Sequence, residues 1–437
     1  MSDPDDPQPP DAGKPAPRTR HVAALIGLDS AVRAGIGFVV GVVVARYLGP
    51  ADYGTLALAI TVVTILLPIG GLGTDGILIQ RLAEYGPRSA ESRALLRAAS
   101  SVRAAGAVLT AVAAVTFAAL REPKEGLVVI LVAPALLAGP FEAGWGYVLA
   151  SGRVGRLVSV RISISVVVAI IKLSVVRFHG GVPLLALVTG IEILTLAVAA
   201  TLVARSQGAR FAPTPSSRRE LLAESLPVMA GALFYLLMLR VDLLLVDMLL
   251  GENDTGRYAA VVRFAEASYL VAAVAVAASA PRIVAGHRPG SEGYEAAYRR
   301  LLRGLGVTAT VLAAVLSIGS EPLLRLLLGP AYAPAAPVLA ICAWSAVPVF
   351  VGTARERLVI DYKITRTTIV NTMAGAGLNV VLNLVLLPTI GLVGAGIATV
   401  VSYLAMVTVF PALDRRQRPV NQLVWHSLVP WLSTSRA

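Results

Sequence analysis

Apolar runs of about twenty residues recur from residue 22 to residue 413, separated by short stretches that hold most of the charge. A helix of ~20 apolar residues crosses ~30 Å of hydrocarbon. The runs predict spans at 22–45, 55–79, 101–120, 126–149, 157–178, 182–204, 226–250, 258–281, 304–320, 335–353, 369–388 and 392–413. Pro330, Pro334, Pro337 and Pro348 interrupt the pattern around the ninth and tenth. The expectation is an all-α integral membrane protein with twelve transmembrane helices. No connection exceeds about 25 residues, which leaves no room for a separate soluble domain.

Composition sharpens this. Of 437 residues, 56% are hydrophobic and 15% charged, against roughly 25% charged in soluble chains. The net charge of +12 raises nucleic acid as a partner. Its placement excludes that reading, because the arginines cluster in alternate loops. With the N-terminus inside, the inner loops hold Arg81, Arg88, Arg93 and Arg97, then Arg153 and Arg156, then Arg205, Arg210, Arg218 and Arg219, and so on to Arg415, Arg416 and Arg418. The outer loops hold only Arg46, Arg121, Lys124, Arg177, Arg257 and Arg325. That asymmetry predicts a multi-pass protein of a bacterial plasma membrane with both termini cytoplasmic. Cys342 is the single cysteine and the four histidines are scattered, so neither a disulfide nor a metal site is expected. No cofactor is expected either.

An internal repeat divides the chain. Residues 45–60 (ARYLGPADYGTLALAI) and 247–262 (DMLLGENDTGRYAAVV) share Leu48/Leu250, Gly49/Gly251, Asp52/Asp254, Gly54/Gly256 and Ala57/Ala259 at one offset. Each segment joins the first span of its half to the second. Six spans per half insert in the same orientation, which places the pseudo-axis along the membrane normal and a site between the halves. The expected organisation is a disordered cytoplasmic tail at 1–20, an N-terminal lobe at 21–205, a cytoplasmic linker at 206–225, a C-terminal lobe at 226–414 and a cytoplasmic tail at 415–437. Around Trp425 and Trp431 that last tail has an interfacial look.

ARYLGPADYGTLALA, GLGTDGILIQRLAEY, LRVDLLLVDMLLGENDTGRYAAVVRFAEA, LLGPAYAPAAPVLAI and NTMAGAGLNVVLNLVLLP followed by GLVGAGIATVVSYL together resemble the bacterial polysaccharide-biosynthesis flippases. These are Wzx-type members of the multidrug/oligosaccharidyl-lipid/polysaccharide (MOP) exporter superfamily. The resemblance covers nearly the whole chain and implies two six-helix lobes around a central cavity. It implies transport of a polyprenyl-diphosphate-linked oligosaccharide from the inner to the outer leaflet for cell-surface polysaccharide, O-antigen or lipopolysaccharide synthesis. The expected partners are that substrate, the bilayer, a polysaccharide polymerase and glycosyltransferases. A lipid II-type precursor flippase and a drug exporter of the same superfamily are the alternatives. A membrane polymerase or ligase is disfavoured by the short outer loops, so no enzyme is expected.

Charges inside spans are costly, ~2.5–3.5 kcal/mol each on insertion scales, and mark functional or paired sites. Arg33 in the first span has two readings: an ion pair with Asp29 one turn earlier, or an anion site facing a wet cavity. Arg240 lies at similar depth in the seventh span. Two such guanidinium groups would suit a diphosphate between lobes. Asp242 is turned ~200° away from Arg240, so Asp247 is the expected same-face partner. Arg263 and Glu266 have pairing distance along the eighth span. Lys172 is either a further cavity cation or a snorkelling residue. The candidate cavity cations are therefore Arg33, Arg240, Lys172 and Arg263. The candidate coupling or pairing acids are Asp29, Asp75, Asp242, Asp247 and Glu266. Glu142 and Glu192 are further acids within spans. The literal GLGTDG at 71–76 follows no strand and lies in an apolar span, so dinucleotide binding is excluded.

Overall fold

The computed structural model describes residues 17–211, 218–364 and 366–428, and the described residues are helical almost throughout. In chain order the helices are α1 (Pro17–Gly71), α2 (Thr74–Tyr85), α3 (Ala90–Ala119), α4 (Pro123–Val132), α5 (Gly139–Ser151), α6 (Gly155–Arg177) and α7 (Val182–Ser206). The second half holds α8 (Arg218–Leu250), α9 (Glu252–Gly286), α10 (Glu292–Ile318), α11 (Ser320–Leu327), α12 (Ala336–Cys342), α13 (Ala346–Asp361), α14 (Arg366–Ile390), α15 (Leu392–Val407), α16 (Val409–Leu413) and α17 (Arg418–Leu428).

Ten helical stretches are long and apolar enough to cross a membrane. The first of these runs through a backbone break at Gly49 (φ 74°, ψ 175°) and so contains two spans. The 33-residue α8 is a further helix of spanning length. Twelve spans result, as the hydrophobic runs predict. Lipid-facing stripes follow helical spacing: Val108, Val112 and Val115 on α3, and Val307, Val311 and Val315 on α10, are all exposed. Apolar residues three and four apart on an outer face are what a bilayer solvent requires.

The repeat is visible in the backbone. Gly251, which separates α8 from α9, has φ 85° and ψ 179°, nearly the values at Gly49. Positive φ at both positions is open to glycine and strained for other residues. Downstream of each break lies a second glycine, and these two meet across the lobes. A Cβ added to Gly54 would lie 2.1 Å from the Glu252 carbonyl oxygen, and one added to Gly256 would lie 1.8 Å from the Pro50 carbonyl oxygen. The repeated segments thus cross backbone to backbone at one end of the bundle, called here the Gly49 face.

The hydrophobic core reflects that crossing. Toward the Gly49 face one cluster runs through both halves, joining Val44, Leu58, Val132 and Leu185 to Val246, Val261, Leu324 and Leu339. Toward the opposite end, the Gly73 face, the core divides. One cluster unites Leu82, Leu96, Tyr147 and Leu157 with Leu221. Another unites Tyr298, Leu302, Phe350 and Leu358 with Val420 and Leu423 of α17.

Several segment expectations change. Residues 1–16 of the expected disordered tail lie outside the described residues, but Pro17–Arg20 already belong to α1. In the expected linker, 212–217 lie outside the described residues, while residues 218–225 form the first turns of α8. In the expected C-terminal tail, α17 is a packed helix; Val420, Leu423 and Val424 are buried and Trp425 is 40% exposed. Trp431 lies outside the described residues. The second span ends at Gly71, because Leu72 and Gly73 take positive φ. Asp75 therefore opens α2 instead of lying within a span.

Candidate functional site

Two adjoining cavities lie at the junction of the halves. The larger, about 250 Å³, is walled by α1, α6 and α7 and includes Arg33, Tyr53, Ile60, Ser165, Lys172, Thr189, Glu192 and Arg263. The smaller, about 120 Å³, lies between α1, α8 and α9 and includes Tyr53, Thr61, Thr64, Arg240, Asp242, Tyr258, Arg263 and Glu266. Tyr53, Ile60 and Arg263 belong to both. All four cations singled out in the sequence line this chamber.

Their partners differ. Arg33 donates from Nε to the Ser165 hydroxyl at 3.1 Å and sits 3.9 Å from Asp29. Asp29 is more closely held by Arg161, at 3.4 Å, whose guanidinium stacks 4.4 Å above the Trp145 ring. Lys172 donates to Glu192 at 2.7 Å. Arg240 grips Glu266 with both terminal nitrogens, at 2.8 and 3.3 Å. Among the described residues Arg263 has no carboxylate partner. Its guanidinium lies 5.8 Å from the centre of the Tyr53 ring. One terminal nitrogen fills the space beside Gly41, where an added Cβ would lie 1.4 Å away. The buried Tyr53 hydroxyl also lacks a partner.

Two expected pairings are corrected. Arg240 takes Glu266, not Asp247: seven residues carry Asp247 ~10 Å along the axis, to the end of α8, where Arg121 binds it. Glu266 turns to the neighbouring α8 instead of back to Arg263, three residues away on its own helix.

The remaining acids divide by environment. Asp75 and Glu142 flank Arg103, which is fully buried; Arg103 also donates to Thr74 at 2.7 Å. Asp242 is buried and, among the described residues, has no cation within salt-bridge reach. It accepts from the Tyr258 hydroxyl at 2.5 Å, the Leu243 amide at 2.8 Å and Thr399 at 3.4 Å. On α14, which packs against α8, the Asn379 amide nitrogen and the Asn383 carbonyl oxygen are buried without partners among the described residues.

Sequence reasoning missed Arg161 and Arg103. For Arg161 the signal was present. Arg161, Ser165 and Lys172 fall four and seven apart, which puts them on one face of α6.

Two bundles of six spans around a chamber lined by cations define a multi-pass membrane transporter, not an enzyme. Residues 22–287 match the family model described as polysaccharide biosynthesis protein, and residues 227–385 match the MatE family model. The first match spans more than half of the chain, so the chain belongs to the polysaccharide biosynthesis protein family. No curated protein matches at a significant level. Among solved structures, the lipid II flippase MurJ in an inward closed conformation is similar with TM-score 0.73 at 12% identity, covering 95% of this chain and 94% of that one. An inward-facing multidrug resistance MATE transporter of the MOP superfamily gives TM-score 0.62 at 13% identity, covering 92% and 95%. The eukaryotic MATE transporter AtDTX14 gives 0.61 at 13%, covering 94% and 99%. At these identities the likeness is one of fold.

Proposed function

We propose that this protein is a flippase that moves a polyprenyl-diphosphate-linked oligosaccharide from the cytoplasmic to the outer leaflet by alternating access. The observation that carries the reading is Arg263, a cation without a carboxylate, at the junction of two cavities that also present Arg33, Lys172 and Arg240. A diphosphate would meet Arg263 first. It would then compete with Asp29 for Arg33 and with Glu266 for Arg240, exchanging one set of charge-assisted bonds for another. A half-buried pair suits that exchange: Arg240 and Glu266 are 31% and 28% exposed at their side chains.

The arginine-rich loops put the Gly73 face in the cytoplasm and the Gly49 face outside. A membrane potential negative inside then favours outward movement of the anion, by ~2.3 kcal/mol per charge per 100 mV. Asp242 is the acid we assign to coupling. It is buried among hydroxyl and amide groups with no cation to neutralise it, so a proton or a small cation would complete its shell.

A second reading is a lipid II-type precursor flippase, favoured by the higher TM-score with MurJ than with the MATE transporters. The same chamber chemistry serves both substrates. The test is flipping of a fluorescent polyprenyl-diphosphate glycan in proteoliposomes, read by quenching with a membrane-impermeant reductant. Arg263→Gln should lower the rate at least tenfold, with insertion and monodispersity unchanged. A rate equal to wild type would overturn the proposal. Running the assay with an oligosaccharide and with a peptidoglycan-type headgroup separates the two readings.

A further inference from the structure

The seam between the lobes is closed at both ends, but by very different means. On the Gly49 face four polar contacts cross it. Arg46 donates to the Leu326 carbonyl at 2.8 Å. The Tyr332 hydroxyl donates to the Ala45 carbonyl at 2.8 Å. The Thr55 hydroxyl reaches Glu252 at 3.4 Å. Arg121 binds Asp247, which is 5% exposed at its side chain. The Gly54–Gly256 crossing and the shared hydrophobic cluster reinforce these.

On the Gly73 face the closure comes from the first turns of α8 lying on α2. Leu221 enters the N-terminal cluster. Gly73 lets the Ser225 carbonyl and the Met229 amide approach to 2.4 and 2.5 Å from where a Cβ would stand. Among the described residues one ion pair crosses here, Arg81–Glu224 at 2.5 Å, and its glutamate is 49% exposed.

We infer that Arg81–Glu224 and Arg121–Asp247 are opposed latches that set which end of the chamber opens, and that the Gly73 end is the one that yields first. A solvent-exposed pair is weak and screened, whereas a buried carboxylate that loses its cation is strongly penalised. Breaking the exposed pair therefore shifts the population toward a chamber open at the Gly73 face. Breaking the buried pair shifts it the other way. These four residues position the lobes; they are not substrate contacts. The inference rests on the proposed reading only in requiring the lobes to part, since no substrate enters its test.

The test is side-specific cysteine labelling. Cys342 is buried, and Cys342→Ala gives a background free of thiols. Thr189→Cys then places a probe on the chamber wall. A membrane-impermeant maleimide is added from one side or the other of oriented vesicles. Glu224→Gln should raise labelling from the Gly73 side several-fold and leave the Gly49 side unchanged. Arg121→Gln should do the reverse, because it leaves the buried Asp247 carboxylate without its cation. The charge-reversed pair Arg81→Glu with Glu224→Arg should return labelling to the wild-type level, which a merely structural role of either residue would not produce. Labelling that is unchanged in both single variants, or that the reversed pair leaves raised, overturns the inference. Either result leaves the substrate assignment to be judged by the flipping assay alone.

Discussion

The two lobes handle intramembrane charge differently. In the N-terminal lobe, apart from the Lys172–Glu192 pair, the charges form a string in which groups share partners. Arg103 serves Asp75 and Glu142, Asp29 serves both Arg161 and Arg33, and Ser165 takes a bond from Arg33. In the C-terminal lobe they form separate knots. Arg240 and Glu266 hold each other, Asp242 is held by hydroxyls and an amide, and the buried Arg355 rests on the neutral Gln417 at 2.5 Å. A shared string can give up one bond and keep the others, which suits a wall that must exchange partners with a passing anion. A knot breaks all at once, which suits a two-state step.

The largest expected effect comes from untying a knot. Asp242→Ala would leave the buried Tyr258 hydroxyl with only the Thr399 hydroxyl, at 3.2 Å, as a partner. That should cost about 2 kcal/mol, measured as lost thermal stability in detergent. Asp242→Asn keeps an acceptor oxygen and should cost under half as much. Equal losses in the two variants would mean that charge, not hydrogen bonding, holds Asp242.

Next comes a direct contrast between lobes. Arg240→Gln removes the one cation within salt-bridge reach of Glu266 among the described residues, and should cost about 1–2 kcal/mol after allowance for its partial exposure. Arg33→Gln leaves Asp29 with Arg161, and should cost about 0.5 kcal/mol or less. The same thermal assay compares them. If Arg33→Gln proves as costly as Arg240→Gln, the N-terminal string does not share its load and the contrast fails.

Most of the fold was legible because membrane insertion writes it twice, once in apolar runs and once in alternating arginines. The segment ends were less so. Arg218–Ser225 and α17 are polar stretches that fold against neighbours, and hydropathy does not register contacts made outside the bilayer. For the site, mid-span charge marked all four chamber cations. It did not mark their partners, because the pairings cross between neighbouring helices whose rotation no single-helix spacing fixes. Glu266 illustrates this: its spacing offered Arg263, and α8 supplied Arg240.

The smallest expected effect on stability tests where the string meets the knots. Tyr53 lies in both cavities, with Arg263 over its ring and a buried hydroxyl that bonds to nothing. In a finished core, such a hydroxyl is a cost of roughly 1–3 kcal/mol, and Tyr53→Phe should relieve part of it. Stability should therefore hold or rise slightly. If instead the hydroxyl is kept for a ligand, the same variant should slow flipping about three- to tenfold, the loss of a hydrogen bond worth roughly 1 kcal/mol. The two readouts move in opposite directions only when the group serves the chamber's contents. A Tyr53→Phe protein that is more stable and flips as fast as wild type would place that hydroxyl outside the transport path, and would leave Arg263 as the sole unpaired group on which the two lobes converge.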